Sequence, residues 1–273
     1  MTPTSADLNT TIDALTDWWA GAGVSVDQRQ LDQMIKLAQK PAPEPARTES
    51  ASSSTPSTPT KGSSALNDAR ALASHATSLE TLRDAITRFE GCELKAAATT
   101  TVIADGIPDA DVMIIGEGPG RDEDIQGLPF VGRAGQLLDK MLASIGLSRQ
   151  TNAYITNVNF WRPPGNRNPT DEELELCRPF VDKHIALIKP KLIIAAGAVP
   201  AKSLLGVSEG ITRLRGKKYQ LTVPGLDAAV PVFPVLHPAY LLRRPAEKAK
   251  AWADLLTISK TLEDMGVAPD TRP

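Results

Sequence analysis

The sequence of 273 residues is poor in cysteine and carries almost no net charge. Its two cysteines cannot build the disulfide framework of a small secreted protein. A formal net charge of −2 gives no overall sign of a nucleic-acid partner, so any basic surface must be local. The sequence also lacks a long apolar run and a signal-peptide pattern, which are the marks of membrane-spanning and secreted chains. We therefore expect a cytoplasmic, monomeric protein that does not bind membranes.

Residues 41–64 are dominated by Pro, Ser and Thr and contain no Leu, Ile, Val or aromatic residue. Such a segment cannot bury enough apolar surface to offset the entropy lost on ordering, so we expect a disordered linker there. Before it, apolar residues recur at helical spacing, which predicts a two-helix hairpin over residues 1–40. Two interpretations of the hairpin stay open: a pair that packs on itself or on the core, and a docking element for a repair or replication protein. Residues 65–273 are then expected to form the main domain.

Strands and helices alternate in the rest of the sequence. A helix near residues 171–189 has a clear start, because Thr170 and Glu173 make the pattern of a capping box. Strands that alternate with helices favour an α/β fold with a mostly parallel sheet covered on both faces. The apolar runs that predict its strands lie near residues 111–116, 153–157, 191–196 and 231–236.

Two rigid turns follow two of these strands. Residues 116–120 hold three glycines and one proline, so this backbone is rigid yet able to approach a ligand closely. Glu117 lies inside the turn, at the carboxyl end of a strand, where open α/β sheets place their ligands. A second turn, His237-Pro238-Ala239, ends the apolar run 232–236. One turn with a carboxylate and one with an imidazole make a candidate active site.

A nucleotide-binding site is the main alternative for these glycines. A dinucleotide fingerprint requires glycine where Arg121 stands, and an acidic residue at the end of a second strand about 20 residues later. Asp139 instead falls within an amphipathic stretch, so the fingerprint fails. Residues 210–218 are not a phosphate-binding loop, since they have one residue too many between their glycines and Lys218 where Ser or Thr is needed. The hypothesis of a nucleotide-dependent oxidoreductase or phosphotransferase would therefore rest on glycines alone.

Three longer motifs carry a family resemblance. They are GEGPGRDEDIQGLPFVGRAGQLLDKML at 116–142, YITNVNFWRPPGNRNPT at 154–170 and HPAYLLRRP at 237–245. In this order and spacing they resemble the family 4 uracil-DNA glycosylases, over roughly residues 86–262. The resemblance implies a three-layer α/β/α sandwich on a four-stranded, mainly parallel sheet. It also implies a DNA-repair hydrolase that flips uracil out of DNA and cleaves its N-glycosidic bond, leaving an abasic site.

The resemblance assigns the chemistry to the two turns. Excision requires that the base leaves the helix, is read as uracil, departs as an anion and is replaced by water. His237 would donate a hydrogen bond to uracil O2 and stabilise the departing anion. Glu117 would orient or deprotonate the water, or stabilise the positive sugar. Backbone N–H groups of the first turn, at Gly116 and Gly118, would add hydrogen bonds to the base or a phosphate.

Two further matched residues would bind the flipped base. Phe130 would stack on it, because an aromatic face holds any flipped base, although core packing is the commoner fate of phenylalanine. Asn157 would read the uracil edge, because its amide can donate to O4 and accept from N3–H. Asparagine at a strand end often only forms a turn, so its assignment as a reader depends on the resemblance.

Contacts to the rest of the DNA are expected from residues near these motifs. Leu241 and Leu242 suit a wedge that inserts into the base stack, although they equally suit the start of a helix. Phosphate contacts are expected from Arg162, Arg243 and Arg244. Uracil-containing DNA is therefore the expected partner. The alternative is a catalytically weak DNA-binding relative recruited through residues 1–40, against which the joint presence of the site residues argues.

Family 4 enzymes typically bind a 4Fe-4S cluster through four cysteines, whereas this chain has only Cys92 and Cys177. By the resemblance, these two stand at the second and fourth ligand positions, and Phe89 and Trp161 occupy the first and third. Two thiolates cannot complete a four-thiolate site, so we expect no cluster and no other cofactor or metal. The loop 162–168 also lacks the histidine through which a related branch links itself to uracil, which favours an enzyme that turns over.

Overall fold

The computed structural model describes residues 61–267. The hairpin predicted for residues 1–40 and most of the predicted linker lie outside this range. The first described helix, α1, covers Lys61–His75, so it begins within the last four residues of the predicted linker. Ala69 and Ala73 of α1 are buried in the core. A helix anchored in this way extends easily by one turn, because each added residue gains a backbone hydrogen bond without a new nucleation cost.

Helices and strands alternate along the described chain. After α1, the helices are α2 Leu79–Arg88, α3 Leu94–Ala97, α4 Arg121–Gln126, α5 Arg133–Ala143, α6 Asp171–Ile188, α7 Ala198–Leu205, α8 Ile211–Leu214, α9 Pro238–Arg243 and α10 Lys248–Asp264. The strands are β1 Ala104–Gly106, β2 Val112–Gly116, β3 Ala153–Asn157, β4 Leu192–Ala196, β5 Tyr219–Leu221 and β6 Val230–Val235. The predicted capping box of α6 is confirmed, because Thr170 and Glu173 exchange side-chain-to-backbone hydrogen bonds. Within residues 61–267, no helix has both the length and the apolar character needed to cross a membrane.

The strands form one sheet in the order β1-β3-β2-β4-β6-β5. The inner strands β3, β2, β4 and β6 run parallel, which confirms the predicted parallel sheet and the positions of its strands. The strand number is larger than predicted, because β1 and β5 pair antiparallel with their neighbours at the two edges. Each edge strand has only three residues, too few to produce an apolar run in the sequence.

Side chains that alternate along the inner strands enter a separate hydrophobic core on each face of the sheet. Met113 and Ile115 of β2 pack in the core formed with α1, α2, α6 and α7. Val112 and Ile114 pack in the opposite core, formed with α5, α9 and α10. Helices therefore cover both faces, which confirms the predicted α/β/α sandwich.

The carboxyl ends of the parallel strands meet at one edge of the sheet. Gly116, the last residue of β2, pairs with Asn157, the last residue of β3. Gly197 directly follows β4 and donates its N–H to Val235 O of β6 at 2.9 Å. His237 lies two residues after the end of β6. Both predicted turns and Asn157 therefore lie at the end of the sheet where α/β folds hold ligands.

Candidate active site

The backbone of Gly116 lies directly against two side chains of the predicted site. A Cβ atom added to Gly116 would come within 2.4 Å of Asn157 Oδ1 and within 2.5 Å of Phe130 Cζ. Both distances are shorter than real Cβ contacts, so a larger residue would displace one of these side chains. Glycine is needed here for close approach, and the structure brings three of the predicted residues together.

Asn157 is a buried side chain whose amide has no partner among the described residues. The residue is 2% exposed, and no hydrogen bond joins its side chain to another described residue. The amide therefore does not make the local hydrogen bond of a turn-forming asparagine. Leaving a buried polar group unpaired costs about 1–3 kcal/mol. An amide kept in this state is suited to a ligand that offers a donor and an acceptor side by side.

Phe130 has a strained backbone and a ring that faces the imidazole of His237. Its φ of 55° lies in the left-handed region, which is uncommon for a residue with a side chain. The two ring centroids are 5.8 Å apart and the ring planes differ by 28°. Phe130 is also part of the core beside α5 and is 7% exposed. Core packing thus holds the ring at the site, and the strained backbone indicates a functional constraint.

The imidazole of His237 is fixed at the start of α9. Its Nδ1 accepts a hydrogen bond from Ala239 N at 3.1 Å, so the neutral ring carries its proton on Nε2. Burial, followed by the positive charge of Arg243, lowers the pKa of His237 to about 4, against an opposing effect of Glu123. The ring is therefore neutral near pH 7 and its Nε2–H is a hydrogen-bond donor.

Gly197 belongs to the site but was missed in the sequence. Its φ of 115° lies in a region that favours glycine. An added Cβ would lie 3.2 Å from both Cβ and Cδ2 of His237. A side chain at this position would strain the backbone and press on the imidazole. The available signal was a glycine directly after the apolar run that became β4.

Glu117 lies in the turn between β2 and α4 and is half-buried. Burial raises the pKa of its carboxyl group. None of the described residues donates a hydrogen bond to this carboxylate. A desolvated carboxylate is a stronger base than an exposed one. The next residue, Gly118, packs against buried Asn159, since an added Cβ would lie 3.0 Å from Asn159 Nδ2.

Glu123, which the sequence analysis also missed, ties the first turn to the loop that carries Phe130. Its Oε1 accepts hydrogen bonds from Val131 N and Gly132 N, both at 3.0 Å. Its Oε2 accepts from Gly120 N at 3.1 Å. The signal for this contact was its place as the third residue after Gly120, the position of a capping-box acid.

The residues of α9 that were expected to contact DNA differ in exposure. Leu241 is 0% exposed and packs in the core beside α10, which favours the alternative of a helix residue over that of a wedge. One side of this short helix faces the core, and Leu241 lies on that side. Leu242 is 36% exposed, and Arg243 and Arg244 are exposed. These three residues are accessible to DNA, and their contacts with it stay a prediction.

Arg162 is engaged with its own loop. Its Nε donates to Asn166 Oδ1 at 2.7 Å, and its Nη1 lies 3.9 Å from the carboxylate of Asp124. Asp124 is 3% exposed and accepts hydrogen bonds from the backbone N–H groups of Thr99 and Thr100. Arg162 therefore supports the loop after β3, and its predicted phosphate contact is untested.

A packed aromatic group fills the positions that the resemblance assigns to two cluster ligands. Phe89 and Trp161 are 2% and 0% exposed, and their ring centroids are 6.3 Å apart. Phe180 of α6 packs edge-on against Phe89 with centroids 5.3 Å apart. The indole Nε1 of Trp161 donates to Thr101 Oγ1 at 3.0 Å, so the buried ring has its polar group satisfied. The rings thus form a well-packed part of the core.

Cys92 and Cys177 are buried free thiols that belong to the same core. A hydrogen bond between the two lowers the pKa of Cys92 and, together with burial, raises that of Cys177. Across residues 61–267, no three His, Cys, Asp or Glu side chains are grouped to hold a metal ion. Two thiols and two packed aromatic rings do not fit a four-thiolate iron–sulfur cluster.

The sequence is similar to known uracil-DNA glycosylases. A model of the uracil DNA glycosylase superfamily matches residues 103–256, more than half of the chain. The type-4 uracil-DNA glycosylase of Archaeoglobus fulgidus is 39% identical over 173 residues, covering 62% of this chain and 85% of that protein. The type-4 uracil-DNA glycosylase of Pyrobaculum aerophilum is 38% identical over 181 residues, covering 65% of this chain and 91% of that protein. That of Sulfurisphaera tokodaii is 39% identical, covering 62% of this chain and 77% of that protein. As its three motifs indicated, the chain belongs to the uracil-DNA glycosylase superfamily.

Proposed function

We propose that this protein is a uracil-DNA glycosylase of base excision repair, which hydrolyses the bond between uracil and deoxyribose and leaves an abasic site. The relatives named as type-4 uracil-DNA glycosylases support the proposal. The observation that carries it is the buried, unpartnered amide of Asn157, which lies with the Phe130 ring against the backbone of Gly116. A flipped uracil would supply both the missing hydrogen bonds and a flat face for the ring.

Recognition of uracil follows from Asn157 and Phe130. The Asn157 amide donates to uracil O4 and accepts from N3–H, whereas cytosine presents the donor and acceptor in the opposite places. Stacking on an aromatic ring contributes about 1–3 kcal/mol per base and does not depend on which base is bound. Phe130 therefore holds the base, and Asn157 decides which base is held.

His237 assists the departure of uracil as an anion. Its Nε2–H donates to uracil O2, where negative charge develops as the glycosidic bond breaks. The hydrogen bond from Ala239 N to Nδ1 maintains the tautomer that this donation needs. Because the charge on O2 exists only in the transition state and the product, this hydrogen bond strengthens as the reaction proceeds and lowers the barrier.

Glu117 acts on the attacking water and on the sugar. It orients the attacking water, and its negative charge stabilises the positive sugar that forms as uracil leaves. The water oxygen bonds to C1′ of the deoxyribose while the C1′–N1 bond breaks, and one proton of this water is released. The uracil anion leaves with the bonding electron pair and takes up a proton, so the products are uracil and an abasic site.

We infer that this reaction proceeds without an iron–sulfur cluster. The packed rings of Phe89 and Trp161 support this inference, because they occupy the space that two ligands would need. Contacts with the DNA strand are proposed for Leu242, which can insert beside the flipped base, and for the phosphate-binding Arg243 and Arg244.

The test uses an end-labelled oligonucleotide with a single uracil. After incubation with the protein in chelator, alkali should break the strand at the uracil, whereas thymine or cytosine at the same position should leave it intact. Asn157→Asp should lower the rate on uracil and admit cytosine, because a protonated carboxyl offers the reversed hydrogen-bond pattern. Asn168→Asp, in an exposed loop, is the matched control. No alkali-labile site at stoichiometric protein would overturn the proposal and favour a DNA-binding relative.

A further inference from the structure

The side chain of Arg149, between α5 and β3, is 14% exposed, and each of its five N–H groups has an acceptor. Two carboxylates accept three of these five hydrogen bonds. Asp139 Oδ1 accepts from Nε at 2.9 Å and from Nη2 at 2.8 Å, and Asp105 Oδ2 accepts from Nη1 at 2.8 Å. The other two reach consecutive backbone carbonyls, Pro129 O at 3.0 Å and Phe130 O at 2.9 Å. The guanidinium thus joins β1 and α5 to the loop that carries Phe130.

The carbonyl of Phe130 is held from a second direction by the first turn of α5. A Cβ atom added to Gly135 would lie 1.8 Å from Phe130 O, so only glycine permits this approach. A left-handed backbone at a residue with a side chain costs about 1–3 kcal/mol and persists only when its surroundings impose it. Arg149 and Gly135 are the surroundings that impose it on Phe130.

We infer that Arg149 is a positioning residue of the active site, which fixes the backbone of residues 129–130 so that the Phe130 ring meets the flipped base. The inference rests on the proposed function, because the role assigned to the ring is to stack on the flipped base. Arg149 acts through Phe130, because two of its five N–H groups donate to backbone carbonyls of the loop that carries this ring. Lysine cannot replace it, since one ammonium with three N–H groups cannot serve two carbonyls and two carboxylates at once.

The test compares Arg149→Lys with the matched control Arg178→Lys. Arg178 on α6 also binds a carboxylate, that of Asp182, and a backbone carbonyl, Ser203 O, but it lies on the other face of the sheet. Each variant loses an arginine that bridges a carboxylate and a backbone carbonyl. A purely structural role would therefore affect the two proteins alike.

Single-turnover excision of uracil is measured well below the unfolding midpoint of every variant. We expect Arg149→Lys to slow excision by about 10- to 100-fold, because a displacement of about 1 Å in a reacting geometry costs up to about 10²-fold. Arg178→Lys should match the wild type. In a Phe130→Ala background, Arg149→Lys should add little, because Arg149 acts through the ring that is already missing. A wild-type rate in Arg149→Lys, or a full additional loss in the Phe130→Ala background, would overturn the inference.

Amide hydrogen exchange of residues 130–132 gives a readout that does not require catalysis. Arg149→Lys should speed exchange in this segment, and Arg178→Lys should not. Unchanged exchange in Arg149→Lys would overturn the positioning role. Failure of the wild type to release uracil would instead contradict the proposed function alone, and the exchange result would still decide whether Arg149 fixes the loop.

Discussion

His237 combines a fixed tautomer with a lowered pKa. The hydrogen bond from Ala239 N holds Nδ1 as an acceptor, and burial keeps the ring neutral above a pKa of about 4. A histidine in water would be partly protonated near pH 6, and the change of charge would alter both of its hydrogen bonds. In this site the proposed donor to the leaving group therefore keeps the same form throughout the neutral pH range.

Replacing His237 with alanine should lower the single-turnover rate of uracil excision by about 10²–10³, because one donor to the developing anion is lost. The measurement is alkali-induced strand breakage at a single uracil over time. The matched control is His75→Ala, which changes an exposed histidine at the end of α1. An unchanged rate in His237→Ala would remove this residue from the reaction.

His184 makes the stability of the fold depend on pH. It is 1% exposed, and its Nδ1 lies 3.2 Å from Phe180 O in α6. Burial lowers its pKa from 6.5 to about 4. Between these values the unfolded chain binds more protons than the folded one, so the free energy of unfolding falls as the pH drops. His237 acts in the same direction, since burial lowers its pKa too.

The His184→Phe variant should lose less stability than the wild type between pH 7 and pH 4. A phenylalanine can take the place of the imidazole beside the rings of Tyr154 and Phe160. The difference in the pH-dependent loss should be about 3 kcal/mol, since one pKa unit corresponds to about 1.4 kcal/mol. Urea unfolding at a series of pH values measures it. Equal pH dependence in both proteins would show that His184 is not held neutral by burial.

The sequence predicted the residues to which we assign the chemistry of the site, and it missed residues that hold them in place. Glu117, Asn157 and His237 lie in recognisable turns and strand ends, so their type and position could be interpreted locally. Arg149 could not be found in this way, because it donates to Pro129 O from 20 residues away along the chain. The two interpretations of Leu241 could not be separated from the sequence, because the direction of a side chain on a short helix depends on the core against which the helix packs.

The strands that were predicted correctly are those that helices cover on both faces of the sheet. Strands β2 and β4 are buried at every position, so they read as continuous apolar runs. Helix α1 was missed because its buried residues include Ala69 and Ala73, which give only a weak hydrophobic period. The edge strands β1 and β5 contain polar residues and depend on pairing with a neighbour.

The aromatic group of Phe89, Phe160, Trp161 and Phe180 connects the end of α2, the loop after β3 and helix α6. We expect protein purified without oxygen to be colourless and free of iron, because these rings leave only two thiols at the positions of four ligands. Iron analysis and a visible absorption spectrum of the purified protein test this prediction. A brown protein with about four irons per chain would contradict the prediction and the assignment of the cysteine positions.

At the scale of the whole molecule, the candidate site lies within the described residues. Removal of residues 1–60 should therefore leave the single-turnover rate of excision unchanged. The shortened chain must begin at Lys61 rather than Ser64, because α1 starts there and buries Ala69 and Ala73. A chain that begins after His75 is the control, and it should lose stability with α1. A large fall in rate in the chain beginning at Lys61, with its fold intact, would place residues 1–60 in the catalytic unit.

The strand at each edge of the sheet is very short. β1 and β5 each have three residues, and β1 ends at Gly106, whose φ of 110° turns the backbone out of the extended region. Such an edge exposes few backbone N–H and C=O groups, so a strand from another molecule can form few hydrogen bonds with it. The sheet therefore resists edge-to-edge aggregation. A concentrated solution of the protein should therefore stay free of aggregates in which one copy's sheet extends that of another.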